Sequence, residues 1–268
     1  MARFVIWSDL HLEFQGFHLP SLDAFGGPID GVLLAGDTDT GLALCHLTFA
    51  EKVSRTYNVP VIMVLGNHEF YDSEIHELTA RQAERLDQLH KEGHEIHVLD
   101  GGQVVVAGTR IVGATLWTDF DLDPANGLLG RRAAQAGMID YKAIKIDDGG
   151  PRPLTPNDTA LLHARQKQAI YALLDAPHDG PTIVMTHHMP IAQAIHARYL
   201  HNPMNAAFAS NLMPEIRNLD FDAWLYGHSH DNYEPEIEVA GRLKRFVSNP
   251  RGYPHEVTRF DPVRILEV

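Results

Sequence analysis

Eight residues suited to metal or proton chemistry fall in five short clusters. They are Asp9 and His11 in "SDLH", Asp37 in "AGDT", Asn67 and His68 in "LGNHE", His187 in "MTHH", and His228 and His230 in "YGHSH". Each cluster follows at once on an apolar run: "FVIW", "VLLAG", "VIMVLG", "TIVMT" and "AWLYG". Ligands delivered from several strand ends to one edge form a metal-site pattern, since open α/β sheets bind at the carboxyl ends of their strands. In "DLH" and "HSH" the alternate spacing lets two side chains of an extended segment point the same way. Two carboxylates, one amide oxygen and four imidazoles are more than the four ligands of a closed structural zinc site. Divided between two ions with Asp37 shared, they give each ion four ligands of mixed N and O type. Such ligands suit Mn, Fe or Zn better than Ca or Mg. Two ions about 3.5–4 Å apart are the arrangement that clamps the attacking and leaving oxygens of a phosphoryl displacement.

The elements that must carry these residues are legible as buried, non-alternating runs. Strands are expected at 3–7, 30–36, 59–66, 95–99, 103–108, 110–117, 182–187, 221–227, 236–241 and 243–249, with a last one in "VTRFDPVRILEV". The pair 103–108 and 110–117 reads as a hairpin. Helices are expected over 74–93, where Ile75, Leu78, Leu86 and Leu89 share a stripe, and from Thr155, which caps a helix with Pro156 in its first turn. The first half reads as βαβ and the last third as antiparallel, so the fold class is a mixed two-sheet α/β sandwich. One domain spans 1–268. Residues 118–154 read as an insertion ending in the Gly/Pro-rich "DDGGPRPLTP".

Asp9-x-His11, Gly36-Asp37, Gly66-Asn67-His68-Glu69, His187 and Gly227-His228-Ser229-His230 occur in the order of the calcineurin-like metallophosphoesterase superfamily, which the chain resembles from residue 9 to 230. The resemblance lies nearer its bacterial phosphodiesterase and phosphohydrolase branch than the protein phosphatases. It implies a four-layer αββα sandwich with two mixed β-sheets flanked by helices and a binuclear centre of two divalent or trivalent transition-metal ions, Mn foremost. Carried over, Asp9, His11, Asp37 and His230 hold one ion, and Asp37, Asn67, His187 and His228 hold the other. Asn67 and His68 would also meet the substrate. The activity implied is hydrolysis of phosphodiesters or phosphomonoesters by attack of a metal-bound hydroxide, with His68 as general acid.

One departure stands out: where relatives carry a second acid three residues after the bridging one, this chain has Thr40. Whether Asp39, one residue earlier, orients His68 stays open, a place behind the site or on the surface being preferred. Glu69 reads either as orienting His68 or as an exposed cap. The 118–154 segment, with Arg131, Arg132, Lys142 and Lys145, and the 189–215 segment, with His196, Arg198, His201 and Asn205, are candidates for substrate recognition, though ordinary packing and solvated charge are preferred for both. Arg251 contacts an anion or only stabilises a turn.

Composition bounds the rest. The chain of 268 residues is 44% hydrophobic and 21% charged, ordinary for a globular protein. A formal charge of −13 disfavours nucleic acid and anionic membranes as partners, and with them a nuclease. The single Cys45 suits a reducing compartment, and no run approaches the roughly 20 apolar residues of a membrane helix. The expectation is a cytoplasmic enzyme acting on a small phosphoester. A non-catalytic scaffold on the same fold would be marked by lost ligands, and none is missing. The 17 histidines, against 11 phenylalanines, fit a metalloenzyme better than a scaffold.

Overall fold

The computed structural model describes residues 1–122, 127–239 and 242–268. Residues 123–126 of the expected insertion and 240–241 of the expected strand lie outside the described residues. In chain order the elements are β1 (Arg3–Trp7), β2 (Gly31–Ala35), α1 (Cys45–Tyr57), β3 (Val61–Val64), α2 (Ile75–Lys91), β4 (Ile96–Val98), β5 (Gly102–Val106) and β6 (Thr109–Ala114). Then come α3 (Gly127–Gly137), α4 (Asp140–Ala143), β7 (Lys145–Asp147), β8 (Pro151–Pro153), α5 (Pro156–Asp175) and β9 (Thr182–Thr186). The last are α6 (Met213–Ile216), β10 (Ala223–Tyr226), β11 (Glu236–Val239), β12 (Arg242–Ser248) and β13 (Ile265–Glu267).

Two large mixed sheets result, ordered β13-β1-β2-β3-β4 and β11-β12-β10-β9-β6-β5. Strand residues alternate between faces, and that alternation sorts the core into layers. Phe4, Ile6, Leu33, Ala35, Ile62 and Val64 of the first sheet meet Ile111, Ile183, Met185, Ala223 and Leu225 of the second. Their neighbours Val5, Trp7, Val32, Leu34, Val61 and Met63 pack outward with Leu47, Ala50 and Val53 of α1 and Leu78 and Leu89 of α2. On the far side Val112, Val184, Trp224 and Tyr226 pack with Ile170 and Leu174 of α5. The strands are buried on both faces, and the fold is the four-layer αββα sandwich.

The expected helix at Thr155 forms with a full capping box, its side chain accepting from Asp158 N–H while Asp158 bonds back. Strand β1 has the expected bounds, while β2, β3, β9 and β10 end sooner than expected, the chain leaving the sheet just before the candidate ligands. The reading of the last third as antiparallel is wrong for the core of the second sheet. There β9 pairs parallel with β10 and with β6, and β10 parallel with β12; only β11 against β12 is antiparallel, as is the β5–β6 hairpin. An apolar run records burial but not direction, and only parallel strands bring His187 and His228 out at the same edge. Helix α1 was not foreseen: Leu44 precedes it in a left-handed conformation with no capping side chain, so the usual start signal is absent. Of "VTRFDPVRILEV", residues 265–267 alone form strand, antiparallel to β1. Among the described residues no helix is long and apolar enough to cross a membrane.

At the edge where strands of the two sheets converge, the backbone comes very close to the candidate ligands. A Cβ on Gly66 would lie 2.1 Å from Asp37 Oδ1 and 2.7 Å from His187 Cε1, whereas one on Gly16 would meet nothing within 4 Å. Gly66→Ala is expected to destabilise the protein by about 1–3 kcal/mol through overpacking, and Gly16→Ala to stay within about 0.5 kcal/mol of the parent. Thermal unfolding of the two variants checks the contrast; equal midpoints would show that the approach at Gly66 is not tight in solution.

Candidate metal centre

Five of the seven candidate ligands sit in left-handed backbone: Asp9, His11, Asp37, His228 and His230 have φ of 50°, 45°, 50°, 69° and 50°. Such conformations cost an ordinary residue of order 1–3 kcal/mol and cluster at functional sites. They turn each side chain back across the strand ends, so that residues far apart in sequence face one point.

Two groups form there. Ligand atoms of Asp9, His11, Asp37 and His230 lie within 4.8 Å of one another, and so do those of Asp37, His187 and His228. Asp37 belongs to both. Its Oδ2 lies 3.4 Å from His187 Nε2 and 3.8 Å from His11 Nε2. Asn67 completes the second group, its Oδ1 3.2 Å from His187 Nε2. The Asn67 amide is oriented by donating from Nδ2 to Asp140 Oδ1 and to the Tyr71 hydroxyl, both at 3.0 Å. Asp140 comes from α4, so the 118–154 segment backs the site. His187 rather than His188 is the central histidine: it donates from Nδ1 to the Ala35 carbonyl at 2.9 Å, which turns Nε2 inward. His188 instead faces the Thr115 carbonyl at 3.3 Å and lies against Trp117.

The donor set fits cations. His11 Nε2 and His230 Nε2 face each other at 2.9 Å, an arrangement that needs a proton or a cation between two lone pairs. Asp9 Oδ2 is buried without a hydrogen-bond partner among the described residues, costly unless an ion meets it. Burial would raise the Asp37 pKa, but the charges of His187, His68 and His11 hold it well below the usual carboxylate range. The same attraction outweighs burial at the histidines, pushing His187 up to about 9 through Asp37 and His230 up to about 10 through Asp9 and Glu256. Burial holds His228 well below the ordinary value and His188 down to about 3, so both are neutral.

Three carboxylates hold the surroundings, none of them assigned to such a place from the sequence. Glu69 is completely buried and accepts backbone N–H groups from Asp37 at 3.0 Å, Thr38 at 2.6 Å and Gly66 at 2.6 Å. It therefore neither orients His68 nor caps the surface; it ties the turn after β2 to the turn after β3. Burial and the Asp37 charge push its carboxyl up to about 8, against its N–H donors. Glu13 takes the place at His68: its Oε1 lies 2.7 Å from His68 Nδ1 and 3.0 Å from His11 Nδ1. Glu256 accepts from His230 Nδ1 at 2.6 Å. Asp39 accepts instead from the Thr40 N–H at 2.7 Å.

His68 is buried at the lip of the cluster, with Nε2 4.0 Å from Asp37 Oδ2 and 3.0 Å from the Tyr253 hydroxyl. Burial lowers its pKa, but Asp37 and the Glu13 bond outweigh it and hold the imidazole above its usual value. The Tyr253 ring packs on His11 and His230 at centroid distances of 4.5 and 4.6 Å. Glu13 completes an alternate-residue pattern, Asp9-x-His11-x-Glu13, that could have singled it out. Tyr253 and Glu256 carry no such signal, because a loop more than twenty residues beyond His230 brings them in. Arg251 stabilises a turn, donating to the carbonyls of Leu10 and Gln15 at 3.1 Å and Gly16 at 2.8 Å.

Residues 2–232 match the calcineurin-like phosphoesterase family. A curated relative, the uncharacterized protein L509 of Acanthamoeba polyphaga mimivirus, is 27% identical over 287 residues, 97% of this chain and 95% of that one. The crystal structure of phosphopantetheinyl hydrolase (PptH) from Mycobacterium tuberculosis superposes with a TM-score of 0.63, covering 94% of this chain and 90% of that one at 18% identity. That likeness is one of fold. With the match running through every one of the ligand-bearing turns, the chain belongs to the calcineurin-like phosphoesterase family, whose members depend on two metal ions.

Proposed function

We propose that the protein hydrolyses small phosphodiesters or phosphomonoesters with two transition-metal ions, Mn foremost. The observation that carries this reading is the pair of ligand groups sharing Asp37. One ion would be held by Asp9, His11, Asp37 and His230, the other by Asp37, Asn67, His187 and His228. Such ions supply Lewis acidity, neutralising phosphate oxygens and making water nucleophilic near neutral pH. On this reading residues 1–268 are one domain, with 118–154 an insertion behind the site.

The chain's own part is orientation and proton movement. Asn67 presents its amide oxygen to the centre because Asp140 and Tyr71 hold the nitrogen. Glu13 fixes a proton on His68 Nδ1 and favours the imidazolium, so Nε2–H faces outward and can be given to a departing alkoxide. Cations beside Asp37 would oppose that carboxylate's pull on His68, so the Glu13 bond is the support that persists. Tyr253, raised by burial, stays protonated and marks where an oxygen sits against Nε2.

Metal analysis tests the centre. Two ions per chain are expected, with activity on chelation lost and best restored by Mn²⁺; a saturating stoichiometry of one would sink the binuclear arrangement. Asp37→Asn should weaken both sites, and His11→Ala chiefly one. Because His187 and His230 are held at about 9 and about 10 in the metal-free protein, each must lose a proton to bind an ion. Affinity should therefore rise with pH between 6 and 8, with proton release seen by calorimetry in buffers of different ionisation enthalpy.

The acid role is tested by leaving group. Removing a positioned acid typically costs about 10²–10⁴-fold on alkyl esters, whose alkoxide needs a proton, and much less on nitrophenyl esters. His68→Ala is expected to show that split with metals retained. Glu13→Gln should show a smaller loss in the same direction, and the double variant should be no worse than His68→Ala alone. Equal losses on both ester types would remove His68 from this role.

A further inference from the structure

The centre opens into one cavity of about 360 Å³, within the range of small-molecule sites. Asn67, His68, His228 and His230 lie at one end. The walls come from the 118–154 segment and from the stretch between β9 and β10, which pack tightly on each other: Cβ atoms on Gly130 and Gly137 would meet Ala206 Cβ at 2.8 Å and Met204 Cε at 3.3 Å.

The wall chemistry is lopsided. Among the described residues no lysine or arginine lines the cavity. Its acids are already engaged: Asp140 by Asn67 and Tyr71, Asp231 by Arg198 at 3.0 Å, and Glu256 by His230. The wall amides are each engaged at one end, Asn202 Oδ1 accepting from the Met204 N–H and Asn205 Nδ2 donating to the Tyr199 carbonyl. Much of the wall is apolar, from Met138, Ile139, Met189, Ile195, Met204 and Phe208, with His196 and Tyr199 adding polar groups. Ile139, just before α4, is 60% exposed and open to a ligand. Unbranched Met side chains, with three rotatable bonds, adapt to a flexible apolar ligand.

A second phosphate or carboxylate on the ligand would face Asp140, Asp231 and Glu256, and the arginine beside them, Arg198, is already paired with Asp231. We propose that the substrate carries a single phosphate and an uncharged, largely aliphatic arm, which lies in this cavity while the phosphate sits at Asn67 and His68. This rests on the phosphoesterase reading and narrows it: nucleoside polyphosphates and phosphoproteins are disfavoured. Hydrolysis adds water across the P–O bond, and no other reactant is needed.

The test uses full-length protein with Mn²⁺ and a series of alkyl 4-nitrophenyl phosphodiesters from methyl to hexyl. The leaving group is constant, so only the arm varies. Burial of each methylene should raise kcat/KM about three- to fourfold until the cavity is filled. Met204→Trp, which fills the cavity, should flatten that rise; Ile139→Ser, at an exposed position that folding tolerates, should lower the hexyl-to-methyl ratio. In parallel, calorimetry with alkylphosphonates, which are not hydrolysed, should show hexylphosphonate binding more tightly than methylphosphonate. A flat chain-length dependence in both measurements overturns the inference while leaving a phosphoesterase. A rise that neither variant alters overturns the cavity assignment. Absence of turnover with these diesters and with the monoester hexyl phosphate, alongside chain-length-dependent phosphonate binding, overturns the phosphoesterase reading and keeps the arm site.

Discussion

A single buried carboxylate, Asp37, organises this molecule. Its Oδ2 faces three imidazoles, those of His187, His11 and His68, at 3.4, 3.8 and 4.0 Å, and its Oδ1 accepts the His68 N–H at 2.9 Å. A charge with no water around it is tolerated only when such partners surround it. The partners arrive because strands of both sheets end at the same edge. After β1, β2 and β10 the chain reverses through left-handed residues, so that those side chains return over the strand ends instead of continuing into solvent. Glu69, one layer deeper, bonds the backbone of the turns after β2 and β3. The carboxylate that carries the chemistry thus stands on a carboxylate that carries none.

That division explains what could be read in the sequence. The metal-type residues were legible because each stands where a run of Val, Ile, Leu or Met stops, a position that otherwise favours small turn-formers. The layered fold followed from the same runs. Strand direction did not, since "TIVMT" and "AWLYG" are equally apolar in either sense, and the parallel pairing of β9 with β10 went unforeseen. Glu69 was misjudged for a related reason: a carboxylate is expected at the surface unless N–H donors converge on it, and convergence is a property of the folded backbone. Glu13 lies in plain pattern with Asp9 and His11, yet nothing local tells that His68, far along the chain, would come to rest on it. Its carboxylate meets His68 Nδ1 at 2.7 Å, where Asp39 does not.

The walls obey a different rule from the floor. At the floor most polar atoms have a directed partner, Asp9 Oδ2 being an exception, and backbone N–H groups hold Glu69 in place. Around the cavity some polar groups bond within their own loops, as Asn202 and Asn205 do at one end of each amide, and methionine and isoleucine make up much of the lining. Chemistry and selectivity are therefore separable here, since the strand ends can stay fixed while the 118–154 and 189–212 stretches vary.

The pairing of β13 with β1 has a consequence in time. Val5 lies opposite Ile265, and Arg251 grips the carbonyls of the loop that carries His11 and Glu13. The earliest ligands on the chain are thus steadied by its latest residues, a contact of very long sequence separation that closes slowly. During synthesis the histidines and aspartates near the start would spend many seconds, at about 5–20 residues per second, unable to gather. A nascent chain could not present the full ligand set to free metal until residue 230 had left the ribosome, because His228 and His230 come last among the candidates.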